Sequence, residues 1–144
     1  MTRPAPGPVV IDTGVFGAQL TPSTWHLATL YQPLIAGRPA FISFITVAEL
    51  RFGAQFAGWG PRRLQRLEGA IGKAQTVWPG PDLVSTYAAL RTWCVRHGHG
   101  LGNKEHEADR WVAATAMRLD VPLVAHDRIF ANVDGLTLLT KLDP

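Results

Sequence analysis

Cysteine is almost missing from this sequence: Cys94 is the only one in 144 residues. That excludes an internal disulfide and a zinc site built on several thiolates, and it makes a reducing, cytoplasmic setting the default expectation. No apolar run approaches the roughly 18 residues that a membrane span needs, so no membrane is expected among its partners. The Pro-rich start, residues 1–8, has no signal-peptide pattern and reads as a flexible N-terminal segment. Charged residues are scarce too, at 17% against 47% apolar, which argues against a disordered chain and supplies a core. A chain of this length fits one domain, residues 9–144.

Acid is scarce in one half only. Residues 1–81 hold Asp12, Glu49 and Glu68 against seven Lys or Arg, whereas residues 82–144 hold eight acids against seven bases. Of the 14 bases, 11 are Arg, a residue suited to planar, bidentate contacts with phosphate or carboxylate. The net charge of +3 is a weak pointer to nucleic acid.

Short apolar runs alternate with helical patterns. Val9-Val10-Ile11 reads as a strand ending at Asp12, and residues 41–45, 76–78, 122–125 and 136–139 read likewise. Helical spacing occupies residues 23–35, and Thr46 opens a helix with Val47, Leu50, Ala54 and Ala57 inward. Pro61 starts another through residue 73, and Asp82 is expected to cap one running to about His97. The clearest helix carries Ala108, Trp111, Val112, Thr115, Ala116 and Leu119 on one stripe. This alternation predicts an α/β fold with a parallel sheet covered on both faces. Such sheets bind ligands beyond the carboxyl ends of their strands.

Acids fall at those ends. Asp12 terminates the first strand, Asp127 follows the fourth, and Glu49 lies early in the helix after the second. Asp109 stands near the start of the helix before the fourth strand, and periodicity alone does not place it at the same edge. At roughly 100° per residue it lies on the border of the apolar stripe, with Glu107 toward solvent. Glu105 remains a minor candidate. Carboxylates gathered in one hollow repel and protonate, unless a hard divalent cation such as Mg²⁺ or Mn²⁺ draws them together. That arrangement suits metal-dependent phosphodiester hydrolysis. Local alternatives stay open: Thr46 to Glu49 also reads as a capping box, Asp109 as a charge favouring the helix dipole, and Asp12 and Asp127 as turn formers.

Four segments, Val9-Val10-Ile11-Asp12-Thr13, Ser43-Phe-Ile-Thr-Val-Ala-Glu49-Leu-Arg-Phe-Gly53, Ala108-Asp109-Arg-Trp-Val-Ala-Ala-Thr-Ala116 and Pro122-Leu-Val-Ala-His-Asp127-Arg-Ile-Phe130, resemble PIN-domain ribonucleases. Within that superfamily they are most similar to VapC-type toxins of bacterial toxin–antitoxin pairs. The resemblance covers residues 9 to about 140 and implies a three-layer α/β/α PIN-like domain with a central parallel sheet. It implies that Asp12, Glu49, Asp109 and Asp127 bind Mg²⁺ or Mn²⁺ and are catalytic. It also implies an RNA substrate, a small cognate antitoxin and a homodimer. Two positions depart from the pattern. The family often has Ser or Asn where Gly14 stands, leaving Thr13 as the nearest supporting hydroxyl, and Thr or Ser where Ala125 stands.

Arg51, Arg110, His126 and Arg128 lie one or two residues from these acids and are candidate RNA contacts, since Arg pairs with phosphate oxygens. Arg62, Arg63 and Arg66 are a second basic group. Cys94, His97, His99 and His106 match no familiar zinc spacing, and residues 98–102 lack the Lys-Ser/Thr of a phosphate loop. The expectation is a metal-dependent endoribonuclease toxin. A non-catalytic RNA-binding module and a housekeeping RNA-processing nuclease are the alternatives.

Overall fold

The structure, a computed structural model, describes residues 6–144; residues 1–5 of the expected flexible segment 1–8 lie outside the described residues. All five expected strands form: β1 Val9–Ile11, β2 Ala40–Ser43, β3 Gln75–Val77, β4 Leu123–Val124 and β5 Leu138–Leu139. They are parallel throughout, in the order β3-β2-β1-β4-β5. Parallel neighbours need long crossovers, and these are the helices α1 Thr13–Gly17, α2 Trp25–Ile35, α3 Phe44–Phe56, α4 Pro61–Lys73, α5 Pro81–Arg96 and α6 Glu107–Leu119.

The alternation of side chains along each strand divides the core in two. Val9, Ile11 and Val124 pack with Val15, Phe16, Tyr31, Val47 and Leu67 on the α1–α4 face. Val10 and Leu123 pack with Leu83, Leu90, Cys94, Val112 and Ala113 under α5 and α6. The three-layer α/β/α architecture follows, with the sheet between two helical layers.

Helix starts differ from the expected ones. Ser43 caps α3, its hydroxyl accepting the Ile45 amide at 3.3 Å, so the helix opens at Phe44 rather than Thr46. Thr46 is buried inside the first turn, and the capping-box reading of Glu49 falls with it. Gly80, not Asp82, precedes α5; Pro81 is its first residue and Asp82 lies in the first turn, where its charge favours the helix N-terminus. Helix α1 was not expected, because five residues are too few to display a helical period.

The cavity lined by Asp82, Ser85, Met117 and Leu119 joins the start of α5 to the end of α6, so the two helices are antiparallel. Helix α6 then feeds β4 through a short connection and runs against the strand direction. Its first turn, with Asp109, therefore lies at the carboxyl edge. The loop between the helices presses on α5 at Gly102, where a Cβ would come within 2.9 Å of Cys94 Cβ; only glycine allows that approach.

Candidate active site

From β1 the chain moves outward through β2 and β3, then returns to β4 and β5 on the opposite side. The reversal leaves a crevice beyond the ends of β1 and β4, the switch point where open α/β sheets bind ligands. Asp12 follows β1 directly, Asp127 lies three residues beyond β4, Glu49 is on α3 and Asp109 is on the first turn of α6. All four line one cleft of about 290 Å³, together with Thr13, Gly14 and His126.

Three of the acids are held by neighbours through one oxygen. Thr13 Oγ1 donates to Glu49 Oε1 at 2.9 Å and lies 2.8 Å from Thr46 Oγ1. A hydroxyl has one proton, so Thr46 donates to Thr13 and Thr13 to Glu49. His106 Nδ1 meets Asp109 Oδ2 at 2.9 Å. Asp127 Oδ1 accepts the Ile129 amide at 3.0 Å and caps the single 3₁₀ turn Arg128–Phe130.

Asp12 differs. It is 8% exposed and makes no side-chain capping bond to α1. Burial pushes its carboxyl up to about 7, with the Asp109 charge next in weight; the Thr13 amide opposes this, and Glu49 and Asp127 add to it. Burial also raises Glu49, the Thr13 hydroxyl opposes the rise, and the Asp109 charge adds to it. The cleft therefore holds more negative charge than it can stabilise alone.

Hard carboxylate oxygens around a water-accessible cleft are a donor set for Mg²⁺ or Mn²⁺ rather than for a soft metal. Glu49, Asp109 and Asp127 each keep a second oxygen with no protein partner among the described residues. Among those residues no three acids, histidines or cysteines stand close enough to form a ready-made cluster. The four acids lining the cleft fit such a cation in the kind of donor they offer.

The basic candidates divide. Arg110 is corrected: it is 1% exposed and does not reach phosphate. Its guanidinium donates to the carbonyls of Leu101 (3.0 Å) and Asn103 (2.6 Å) and to Tyr87 Oη (3.1 Å). It thus pins the loop that carries His106 to Asp109. Arg51 forms an ion pair with Glu68 at 2.6 Å, exposed on both sides. Arg128 donates to the Asp143 carbonyl at 2.8 Å. Arg63 stacks over Trp59 at 3.8 Å, while Arg62 and Arg66 stay exposed. Glu105 and Glu107 are also exposed and do not line the cleft. Of the remaining histidines near Cys94, His97 stacks on Trp93 and His99 meets the Ala131 carbonyl at 2.8 Å. Sequence reasoning missed His106, Thr46 and Tyr31 as supports of the cleft; the i, i+3 spacing of His106 and Asp109 was the one available signal.

A five-stranded parallel sheet with this acidic switch point defines the class: the chain belongs to the PIN domain family, which matches residues 9–136. Among individual proteins it is similar to Ribonuclease VapC5 of Mycobacterium tuberculosis (strain ATCC 25618 / H37Rv). The two are 33% identical over 136 residues, which span 93% of this chain and 92% of that protein. Its fold is similar to the crystal structure of VapBC-5 from Mycobacterium tuberculosis, a member of the VapBC family of toxin–antitoxin systems, at 28% identity and a TM-score of 0.67. That likeness covers 94% of this chain and 98% of the other. VapBC2 from Rickettsia felis, bound to a DNA fragment from its promoter, shares the fold at 19% identity and a TM-score of 0.76, over 92% of this chain and 98% of that one.

Proposed function

We propose that this chain is a Mg²⁺- or Mn²⁺-dependent endoribonuclease and the toxin of a type II toxin–antitoxin pair, with RNA as substrate and a small antitoxin protein as partner. The observation that carries this reading is the convergence of Asp12, Glu49, Asp109 and Asp127 on one cleft at the switch point. The similarity to a ribonuclease and to toxin–antitoxin complexes supports it.

Asp12 and Asp109 would be the main ligands of such an ion, with Glu49 and Asp127 completing the donor set and orienting a water. A bound divalent ion supplies charge neutralisation, polarisation of the phosphodiester and a more acidic water. Asp12, whose carboxyl burial pushes up to about 7, would have to be ionised to hold such an ion. Thr13 keeps Glu49 turned toward the cleft and His106 does the same for Asp109. No side chain needs to act as nucleophile, and Cys94 is fully buried in the core. Arg128, exposed beside Asp127, and Arg51, in its exposed pair with Glu68, are candidate contacts to RNA phosphates.

A second cavity of about 410 Å³ runs along α3 from Glu49 to Trp59 and Arg63. On the same helix Phe52 and Phe56 stack on each other, 66% and 84% exposed. Apolar surface of this kind marks a protein interface and suits the antitoxin as its occupant.

The test is incubation of the purified protein with RNA in Mn²⁺ and in EDTA, beside the Asp109→Asn variant. Cleavage confined to the wild type in Mn²⁺ is expected. Equal cleavage in EDTA or by the variant overturns the mechanism.

A further inference from the structure

The four acids of the cleft do not stand on one rigid unit. Asp12 and Glu49 are held close to the sheet, at the end of β1 and on α3. Asp109 follows the irregular segment between α5 and α6, and Asp127 caps the single 3₁₀ turn Arg128–Phe130. Those two segments must keep their spacing for the two carboxylates to share a cleft. His99 joins them, from outside the cleft lining. Its Nδ1 accepts the Leu101 amide at 3.0 Å, and its Nε2 lies 2.8 Å from the Ala131 carbonyl. An amide N–H only donates and a carbonyl only accepts, so the ring is neutral and carries its proton on Nε2. The main chain of His99 is tied as well: its amide donates to the Cys94 carbonyl at 2.9 Å, and its carbonyl accepts the Gly102 amide at 3.0 Å.

The two ring bonds do different work. The bond from Leu101 caps the 3₁₀ turn Gly100–Gly102 and holds the ring in place. The bond to Ala131 crosses 32 residues of chain. Among the described residues it is the one hydrogen bond between segments 97–106 and 126–131. Each end of this bridge leads to an acid. The Leu101 carbonyl accepts from Arg110, the residue that follows Asp109. The Ala131 amide closes the 3₁₀ turn on the Arg128 carbonyl at 3.0 Å, and Asp127 accepts the Ile129 amide at the other end of that turn.

We infer that His99 is a positioning residue of the nuclease: its Nε2–H bond to the Ala131 carbonyl sets the spacing of Asp109 and Asp127 across the cleft, without contact to substrate. This rests on the endoribonuclease reading and adds to it a residue outside the cleft. A shift of about 1 Å between reacting groups costs up to about a hundredfold in rate, so loss of the bridge is felt in turnover rather than in binding.

The experiment sets two substitutions against each other. His99→Asn keeps an oxygen near the Nδ1 position, so it caps the Leu101 amide but does not reach Ala131. His99→Gln carries an N–H near the Nε2 position, so it reaches Ala131 but leaves Leu101 uncapped. Steady-state RNA cleavage in Mn²⁺ should show kcat lowered about tenfold or more in His99→Asn, with KM unchanged, and largely restored in His99→Gln. Amide hydrogen exchange of the full chain without metal should quicken at Ile129 and Ala131 in His99→Asn and not in His99→Gln. Long-range ¹H–¹⁵N correlation spectra of the wild type, at a pH where the ring is neutral, should show His99 as the Nε2–H tautomer. An Nδ1–H tautomer overturns the inference, and that readout stands even where a variant does not fold. Wild-type kcat in His99→Asn with a loss in His99→Gln reduces His99 to a cap of its own turn and also overturns it, as does unchanged exchange at Ile129 and Ala131 in His99→Asn. A nuclease whose kcat is indifferent to both substitutions overturns this inference alone. The predicted exchange pattern in a wild-type protein without nuclease activity supports the bridge and overturns the nuclease reading.

Discussion

Asp12 and Asp127 end neighbouring strands of one sheet, yet the protein treats them in opposite ways. Asp127 is exposed and already satisfied in part, because it accepts the Ile129 amide and caps a helical turn. Asp12 is buried, lacks a capping bond and is pushed up to about 7. One carboxylate is stable as the fold leaves it, and the other needs either a proton or a cation. The difference puts the unmet demand for a proton or a cation at β1, in the interior, rather than at the solvent-facing end of β4.

Substitution separates these ends most sharply. Asp12→Asn is expected to lower the RNA cleavage rate by about a thousandfold or more, the scale of removing a metal ligand from the reaction centre. Asp127→Asn retains an oxygen for the Ile129 amide and should keep the melting temperature of the wild type, with a smaller loss of rate. Equal rates for both variants break the contrast.

The next effect is on stability against pH. The folded state holds the Asp12 proton more tightly than the unfolded chain, so this group favours folding most below pH 4. That contribution is lost as pH rises from about 4 to about 7. A shift of about three units, at about 1.4 kcal/mol each, corresponds to about 4 kcal/mol. Urea unfolding in EDTA should show that loss in the wild type and a flatter profile in Asp12→Asn, which becomes the more stable protein at pH 8. An identical pH profile for the two proteins refutes the assignment.

Arg110 offers a third contrast, with the surface arginines. Replacing it with Met leaves the Leu101 and Asn103 carbonyls without their donor and should cost about 3 kcal/mol of stability. The salt dependence of RNA binding should stay unchanged, since no phosphate contact is lost. Arg51→Ala is the smallest change: its partner Glu68 is equally exposed, and the melting temperature should not move.

Much of this was legible because the strands are short, apolar and bounded by turn residues; all five were placed within a few residues. Asp12, Glu49 and Asp127 could be assigned to one edge from chain direction alone. Asp109 could not, since the sequence does not say that α5 and α6 form an antiparallel pair between β3 and β4. Arg110 misled for a related reason. It sits opposite the apolar stripe of α6 and reads as solvated, but α5 and the loop at Gly102 cover that side, leaving α6 buried almost all round. The Ser43 cap was hidden by an apolar run that continues from strand into helix. Tyr31 lay 95 residues from His126, beyond any local pattern.

A divalent ion is expected to take the place of the Asp12 proton in the cleft. Calorimetric titration of the metal-free protein with Mn²⁺ near pH 6.5, in two buffers of different ionisation enthalpy, counts the protons released on binding. Binding with release of a substantial fraction of one proton by the wild type, and neither comparable affinity nor release by Asp12→Asn, is the predicted result. Equal binding and equal proton release by the two proteins would contradict it.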